Sequence, residues 1–240
     1  MYQIQNPKRS QPKKVSSLPI RFSDLFRISK FGFRISASAL LLAVTLAAPA
    51  AERLPLFDGK TFTGWTGDTN KTWRIADGTL VGGSLEANVP RNEFLATERS
   101  FTNFVLRLKF KLTGKSGFIN AGVQIRSQRA SNPVNEMVGY QADLGDPKWW
   151  GSLYDESRRN KMLAESDMAK LNGVLKRGDW NDYEIRCEGR RLRLAINGTP
   201  TVDYTEPDET IPQFGRIGLQ IHGGAVAEVS YKDITVEVLP

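Results

Sequence analysis

Three strand-like segments of the chain carry polar side chains at alternate positions: Gln124 and Arg126, Gln141 and Asp143, and Gln220 and His222. Apolar residues alternate with them, Ala121, Val123 and Ile125 in the first segment and Ile217, Leu219 and Ile221 in the third. In a sandwich of two sheets the apolar alternates face the partner sheet, so the polar set points outward. Were the three segments to share a sheet, one face would carry amides, a guanidinium, a carboxylate and an imidazole. Such a face either binds a polar ligand or is filled by internal salt bridges of the Arg–Asp kind. His222 is the only histidine in the chain, and histidine is the residue type that changes charge nearest neutral pH. Gly223-Gly224 follow it, where the backbone can turn or let a ligand approach closely. His222 is therefore either a candidate base or a surface histidine at a strand end.

A second concentration of chemistry lies at Gly139-Tyr140-Gln141-Ala142-Asp143 and Trp149-Trp150-Gly151-Ser152-Leu153-Tyr154. Flat rings beside planar hydrogen-bonding groups suit a sugar, which offers apolar C–H faces and a rim of hydroxyls. The other reading is a half-buried strand with its aromatic anchor. Arg158-Arg159-Asn160-Lys161 could hold an acidic or polyhydroxy ligand, or be a charged loop at a rim. The acids nearby are Glu136, Asp143, Asp146, Asp155 and Glu156. An ordinary glycosidase would need two of them flanking the bond, about 5 or about 6.5–9.5 Å apart. One histidine with scattered carboxylates is no zinc constellation, although an oxygen-ligand calcium site stays open. No metal and no cofactor is expected from the motifs. The chain has no Gly-rich phosphate loop, no Gly-x-Ser-x-Gly elbow and no Cys/His nucleophile pair.

The formal charge of +7 is carried by residues 1–51, which hold eight Lys/Arg and one acid; residues 52–240 hold 25 of each sign. A basic chain usually raises nucleic acid as a partner, but here the basic excess belongs to the leader, so no nucleic-acid partner is expected. Residues 1–50 read as a signal peptide with a long basic n-region. Its apolar run, Ala37 to Ala48, is about twelve residues and ends at Ala48-Pro49-Ala50, an A-x-A cleavage pattern. That run is short of the roughly 20 residues a spanning helix needs; an uncleaved anchor is the alternative. No cysteine stands at the cleavage site, so the expectation is a secreted or periplasmic protein with no membrane partner once mature. Cys187 is the only cysteine, so no intrachain disulfide can form.

From 51 to 240 the chain reads as a single all-β domain. Asp77-Gly78 and Asn197-Gly198 are tight hairpin turns. Phe104, Leu106, Leu108, Phe110 and Leu112 share one strand face, with Arg107, Lys109 and Lys111 on the other. Tyr183 to Cys187 and Leu192 to Ile196 form a further hairpin, and one short helix is predicted around Glu165 to Leu171. Strands of this length and spacing predict an antiparallel sandwich.

Leu56-Phe57-Asp58-Gly59-Lys60-Thr61-Phe62-Thr63-Gly64-Trp65 resembles the opening signature of the 3-keto-disaccharide hydrolase domain family. Asp77 to Leu80, Asn120 to Arg126, Gly139 to Asp143, Gly151 to Tyr154, Gly178 to Asn181 and Gly215 to His222 follow in the family's order, and the resemblance spans residues 54–239. Two motifs depart from the family. Asn120-Ala121-Gly122 stands where Asn-Ser-Gly is frequent, and Gly139-Tyr140-Gln141 lacks an acid before the glutamine. The resemblance implies a concanavalin A-like jelly roll with its ligand face on the concave sheet, mostly in exported bacterial proteins. It also implies cleavage of the glycosidic bond of a 3-keto sugar, by removal of the C2 proton, loss of the C1 oxygen and addition of water. On that footing His222 or Asp143 would be the base. Arg126 and Gln141 would hold the oxyanion or hydroxyls, with Gln124 and Gln220 beside them. Tyr140, Trp150 and Tyr154 would form the sugar platform, and Arg158 would bind at the rim. An open groove is expected over Arg126, Gln141 and His222. The alternative is a non-catalytic carbohydrate-binding module, with a small carbohydrate as partner in either case.

Overall fold

The computed structural model describes residues 53–240; the signal-peptide expectation for residues 1–50 lies outside the described residues. Two antiparallel sheets pack face to face. Sheet A runs in the order β13 (Thr199–Thr205), β12 (Arg191–Ile196), β11 (Asn181–Glu188), β6 (Phe104–Gly117), β15 (Ala225–Val238), β4 (Thr79–Gly83) and β3 (Trp73–Ala76), with β1 (Arg53–Pro55) also paired to β15. Sheet B runs β10 (Lys161–Ala164), β9 (Leu153–Glu156), β8 (Met137–Gly145), β7 (Asn120–Arg129), β14 (Gly215–Ile221), β5 (Glu93–Phe101) and β2 (Trp65–Thr66). This is the predicted jelly-roll sandwich.

The alternation of the sequence does what a two-layer architecture requires. Leu106, Leu108 and Phe110 of sheet A meet Val123, Ile125, Ala142 and Leu219 of sheet B in one buried core. Tyr231 of β15 bridges the layers, its hydroxyl donating to the Gly122 carbonyl at 2.9 Å. The turns form where Asp-Gly and Asn-Gly were read: φ is +48° and +71° at Asp77 and Gly78, and +49° and +76° at Asn197 and Gly198. The helix is shorter than predicted. α1 covers Met168–Leu171 because Asp167 caps it, its carboxylate accepting from the N–H groups of Ala169 and Lys170. No described helix is long and apolar enough to cross a membrane.

Candidate functional site

The outer face of sheet B carries a chain of buried polar side chains. Register sets it out: Gln124 stands opposite Gln141 across β7 and β8, while Gly122 stands opposite Asp143 on one side and Gln220 on the other. Gly122 leaves the centre open, and the Gln141 side chain fills it; a Cβ on Gly122 would lie 2.8 Å from Gln141 Cγ. Gln124 Nε2 donates to Gln141 Oε1 at 2.7 Å. Gln141 Nε2 then donates to Asp143 Oδ1 at 2.6 Å and to Gln220 Oε1 at 3.2 Å. Ser127 Oγ lies 2.6 Å from Gln124 Oε1 and starts the chain. At its far end, Asp143 Oδ2 and Gln220 Nε2 are buried with no hydrogen-bond partner among the described residues. Each of these two groups costs stability as it stands.

Half-buried Trp149 and Tyr154 and exposed Phe118 lie beside this floor. Tyr154 is opposite Gln141 in the register of β8 and β9. Trp149 meets Tyr154 edge to face at 6.0 Å, Phe118 meets Trp149 at 6.0 Å, and Phe118 meets the His222 ring at 4.8 Å. Phe118 also walls a cavity of about 480 Å³ shared with Leu112, Thr113, Asp146, Trp150 and Arg177. His222 Nδ1 is 2.6 Å from the Gly223 carbonyl, and its backbone N–H donates to Asn120. In the tautomer that donates from Nδ1, Nε2 keeps its lone pair.

The loop between β7 and β8 leans across the same face. Asn135 Nδ2 donates to the Asn92 carbonyl, and the Asn92 side chain accepts from the Gly223 N–H. The loop thereby shelters a small apolar cluster of Phe94, Ala96 and Met137. It also brings Glu136 toward His222 and Glu156. Burial raises the Glu136 carboxyl above its usual range, against the Met137 N–H, the Ser157 hydroxyl, His222 and Arg129. Glu156, opposite Gly139 on β9, is pushed up to about 7 by burial and then by Glu136. Asp143 is raised well above the carboxylate range by burial, which the Gln141 hydrogen bond opposes and Glu156 reinforces. Among the described residues no group of three or more His, Cys, Asp or Glu side chains is placed to hold a metal ion.

Of the residues expected at the site, Gln124, Gln141, Asp143, Gln220, His222 and Tyr154 come together. Arg126, Tyr140, Trp150 and Arg158 do not. A bulge between Ile125 and Gln128, with Arg126 at φ +50°, turns the arginine off the outer face. Its guanidinium donates to the carbonyls of Thr102 and Gly189 and to the side chains of Gln213 and Asn103. The expected groove over Arg126, Gln141 and His222 is corrected accordingly: Arg126 ties loops at the sandwich end. Tyr140 points into the core, and its hydroxyl donates to Glu206 at 2.7 Å. Arg158 lies 4.5 Å above the Tyr140 ring and donates to Asp155, which with Glu206 also holds Arg159. Trp150 stacks on Phe110 in the core and donates to Asp146. The rings that do lie beside the amide floor are Trp149, Phe118 and Tyr154. Trp149 and Trp150 sit in a turn where both N–H groups donate to the Gly145 carbonyl, so strand alternation does not decide which faces out. Only their adjacency signalled that one of the two would be exposed. Glu136 and Glu156 were visible as acids, but nothing in sequence marked their burial.

The profile of the 3-keto-alpha-glucoside-1,2-lyase-like domain matches residues 52–237, the whole of the sandwich. The chain belongs to this domain family. Among solved structures, it is similar to a proposed glycosyl hydrolase from Parabacteroides distasonis, at 19% identity and a TM-score of 0.59, covering 78% of this chain and 94% of that one. It is also similar to the carbohydrate-binding module CBM66 from Bacillus subtilis (14% identity, TM-score 0.54, 72% and 95% covered). A Bacillus subtilis protein of unknown function with a galectin-like fold aligns at 12% identity and a TM-score of 0.55, with 78% and 94% covered. At these identities the likeness is one of fold. No curated protein matches the sequence.

Proposed function

We propose that the outer face of sheet B cleaves the glycosidic bond of a 3-keto sugar by elimination followed by hydration. The observation that carries this reading is the juxtaposition of one histidine and a row of solvent-reachable rings with a buried amide–acid network. A ketone at C3 acidifies the C2 proton, so one base and a means of holding the enolate oxygen are enough. His222 Nε2 takes the C2 proton, and the C–H electron pair becomes the enolate. The enolate collapses to a C1–C2 double bond as the C1–O bond breaks. Glu156, which titrates at about 7, gives the departing oxygen its proton. Water then adds to the enone, oxygen to C1 and hydrogen to C2. Trp149, Phe118 and Tyr154 stack the sugar. Family membership supports the substrate class. An exported location, secreted or periplasmic, belongs to the same proposal and rests on the reading of residues 1–50.

The same face without turnover would make a carbohydrate-binding module, which an isotope experiment separates from an enzyme. In D₂O, cleavage of a 3-keto-disaccharide should place solvent deuterium at C2 of the released keto sugar, above an enzyme-free control, and leave the unoxidised parent untouched. Binding without cleavage, or cleavage with C2 still protonated, would overturn the elimination route.

A further inference from the structure

The cavity walled by Phe118 adjoins the proposed sugar face, yet none of its polar groups takes part in the reaction proposed there. Two features join the places. Phe118, 41% exposed, meets Trp149 and the His222 ring and also lines the cavity. The turn after β8 serves both as well: Trp149 goes to the ring of Tyr154 beside the amide floor, while Asp146 and Trp150 line the cavity. That turn is tied at Gly145, whose carbonyl accepts from both tryptophan N–H groups.

The cavity measures about 480 Å³, within the range of about 300–1,000 Å³ usual for small-molecule sites. Its charged groups are one carboxylate and one guanidinium. Arg177 Nε donates to Asp146 Oδ1 at 3.0 Å and to Oδ2 at 3.2 Å, and Nη2 donates to Oδ1 at 2.9 Å. Trp150 Nε1 also donates to Oδ1, at 2.9 Å. Oδ1 is thus crowded with donors, and Oδ2 receives only the longest of these bonds. On the guanidinium, Nη2 also reaches Asn172 at 3.0 Å, while Nη1 has no partner among the described residues. Burial, the largest influence on Asp146, is outweighed by Arg177 and Trp150, which hold its carboxyl below the usual range. The side chains of Asp146 and Arg177 are 55% and 43% exposed, so a ligand can reach both. An acceptor and a donor held side by side match the neighbouring hydroxyls of a sugar, each of which donates and accepts. The pair is neutral as a whole, which suits an uncharged ligand better than a phosphate or an amine. Phe118 supplies an apolar ring for a C–H face. Gly178, at φ +73°, leaves its wall bare: only Thr113 Cγ2, at 3.9 Å, lies within 4 Å of where a Cβ would stand.

We propose that this cavity is a second sugar subsite, which holds the unoxidised ring joined to the ring on the amide floor, with Asp146 and Arg177 as its hydroxyl partners. This rests on the reading of the outer face of sheet B as a sugar site and extends that site by one ring. It holds whether the face cleaves the bond or only binds, because no bond to Asp146 or Arg177 forms or breaks. The two residues select the substrate by size and hydroxyl pattern.

Two measurements test it. In wild type, the assigned indole N–H resonance of Trp150, a proton held by Asp146 Oδ1, should move on titration with D-glucose, D-galactose or D-mannose. Arg177→Ala should need about tenfold more sugar for the same shift, the worth of one hydrogen bond to a charged group. The same variant should lower kcat/KM for a 3-keto-disaccharide by about tenfold or more and leave a methyl 3-keto-glycoside within about twofold. Taking each substrate as a ratio of variant to wild type cancels the different leaving ability of methanol and a sugar, and any loss of folded protein. A Trp150 resonance that none of the three sugars moves would overturn the proposal, as would equal ratios for the two substrates. Movement at the Trp149 indole with none at Trp150 would strike the cavity alone and leave the sugar face standing. Should Arg177→Ala not fold, the wild-type titration decides. A wild type that turns over neither keto substrate would sink the elimination reading, and the Trp150 titration would still judge the subsite.

Discussion

The two outer faces of the sandwich are written in the same period-2 alternation and come out as different kinds of surface. On sheet A the outward residues are charged and matched in register: Arg107 opposite Glu184, Lys109 opposite Asp182, Glu188 opposite Arg191. Arg107 pairs with Glu184 at 2.8 Å and Glu237 at 2.9 Å, and Arg191 with Asp203. On sheet B the centre is a row of buried amides around Gly122 and Asp143, hydrogen-bonded to one another. Carboxyls follow the same division. Asp203, Glu237 and Glu188 on sheet A are lowered by Arg191, Arg107 and Arg186 respectively. Asp143, Glu156 and Glu136 on or beside the outer face of sheet B are raised by burial. Charges on a solvated surface pair across the register; amides buried on the other face satisfy one another, and a group left unpaired there costs stability.

The largest effect should come from His222→Ala. Losing the base should lower kcat for a keto sugar by about 10²–10⁴-fold while leaving the denaturation midpoint near wild type, because His222 is only partly buried. A midpoint well below that of wild type would make the lost activity structural and count against a catalytic role. Gln141→Leu comes next. It strands Gln124 Nε2, Asp143 Oδ1 and Gln220 Oε1 in a buried site, and at about 1–3 kcal/mol per stranded group urea denaturation should show a loss of about 3 kcal/mol or more. Arg107→Ala on sheet A should cost no more than about 1 kcal/mol; similar costs for the two would erase the contrast between the faces.

Smaller effects sharpen the same contrast. Trp149→Ala should raise KM about fivefold through the lost platform, worth about 1 kcal/mol. Trp180→Ala, whose ring lies under Lys111 and Lys232 on sheet A, should leave KM unchanged. The pH dependence of stability should have opposite signs on the two faces. Glu156 titrates at about 7 in the fold and from 4.5 in the ordinary range. As pH rises between those values the unfolded chain ionises while the folded one resists, so the fold loses stability. Glu156→Gln should therefore be more stable than wild type above pH 7, by about 1–2 kcal/mol once its partial exposure is discounted, and equal to it below pH 4. Asp203, lowered by Arg191, stabilises the fold above its unfolded pKa, and that contribution is lost as pH falls; Asp203→Asn should narrow the difference in acid. Thermal melts across pH 3 to 8 check both.

Much of this was legible in the residues. Asp77-Gly78 and Asn197-Gly198 gave their turns, the Phe104-to-Leu112 alternation gave its strand, and the Gln124, Gln141 and Gln220 amides gave the floor. What failed did so for physical reasons. Alternation holds only while the register does, and the bulge after Ile125 sends Arg126 to loops that sequence cannot bring near. Trp149 and Trp150 lie in a turn, where period 2 does not apply. Arg158 and Arg159 look like a ligand-binding run until Asp155 takes Arg158 and Glu206, 47 residues from Arg159, takes Arg159. Burial of Glu136 and Glu156 goes with a loop between β7 and β8 that is anchored to Asn92, 43 residues from Asn135, a long-range event with no local signature.

The most direct test of the central claim is turnover of a 3-keto-disaccharide and of its unoxidised parent by wild type, His222→Ala and Trp180→Ala side by side. Cleavage of the keto sugar alone, lost in His222→Ala and retained in Trp180→Ala, is the predicted result. Equal cleavage of the parent, or full activity in His222→Ala, would contradict the assignment of the reaction to the outer face of sheet B.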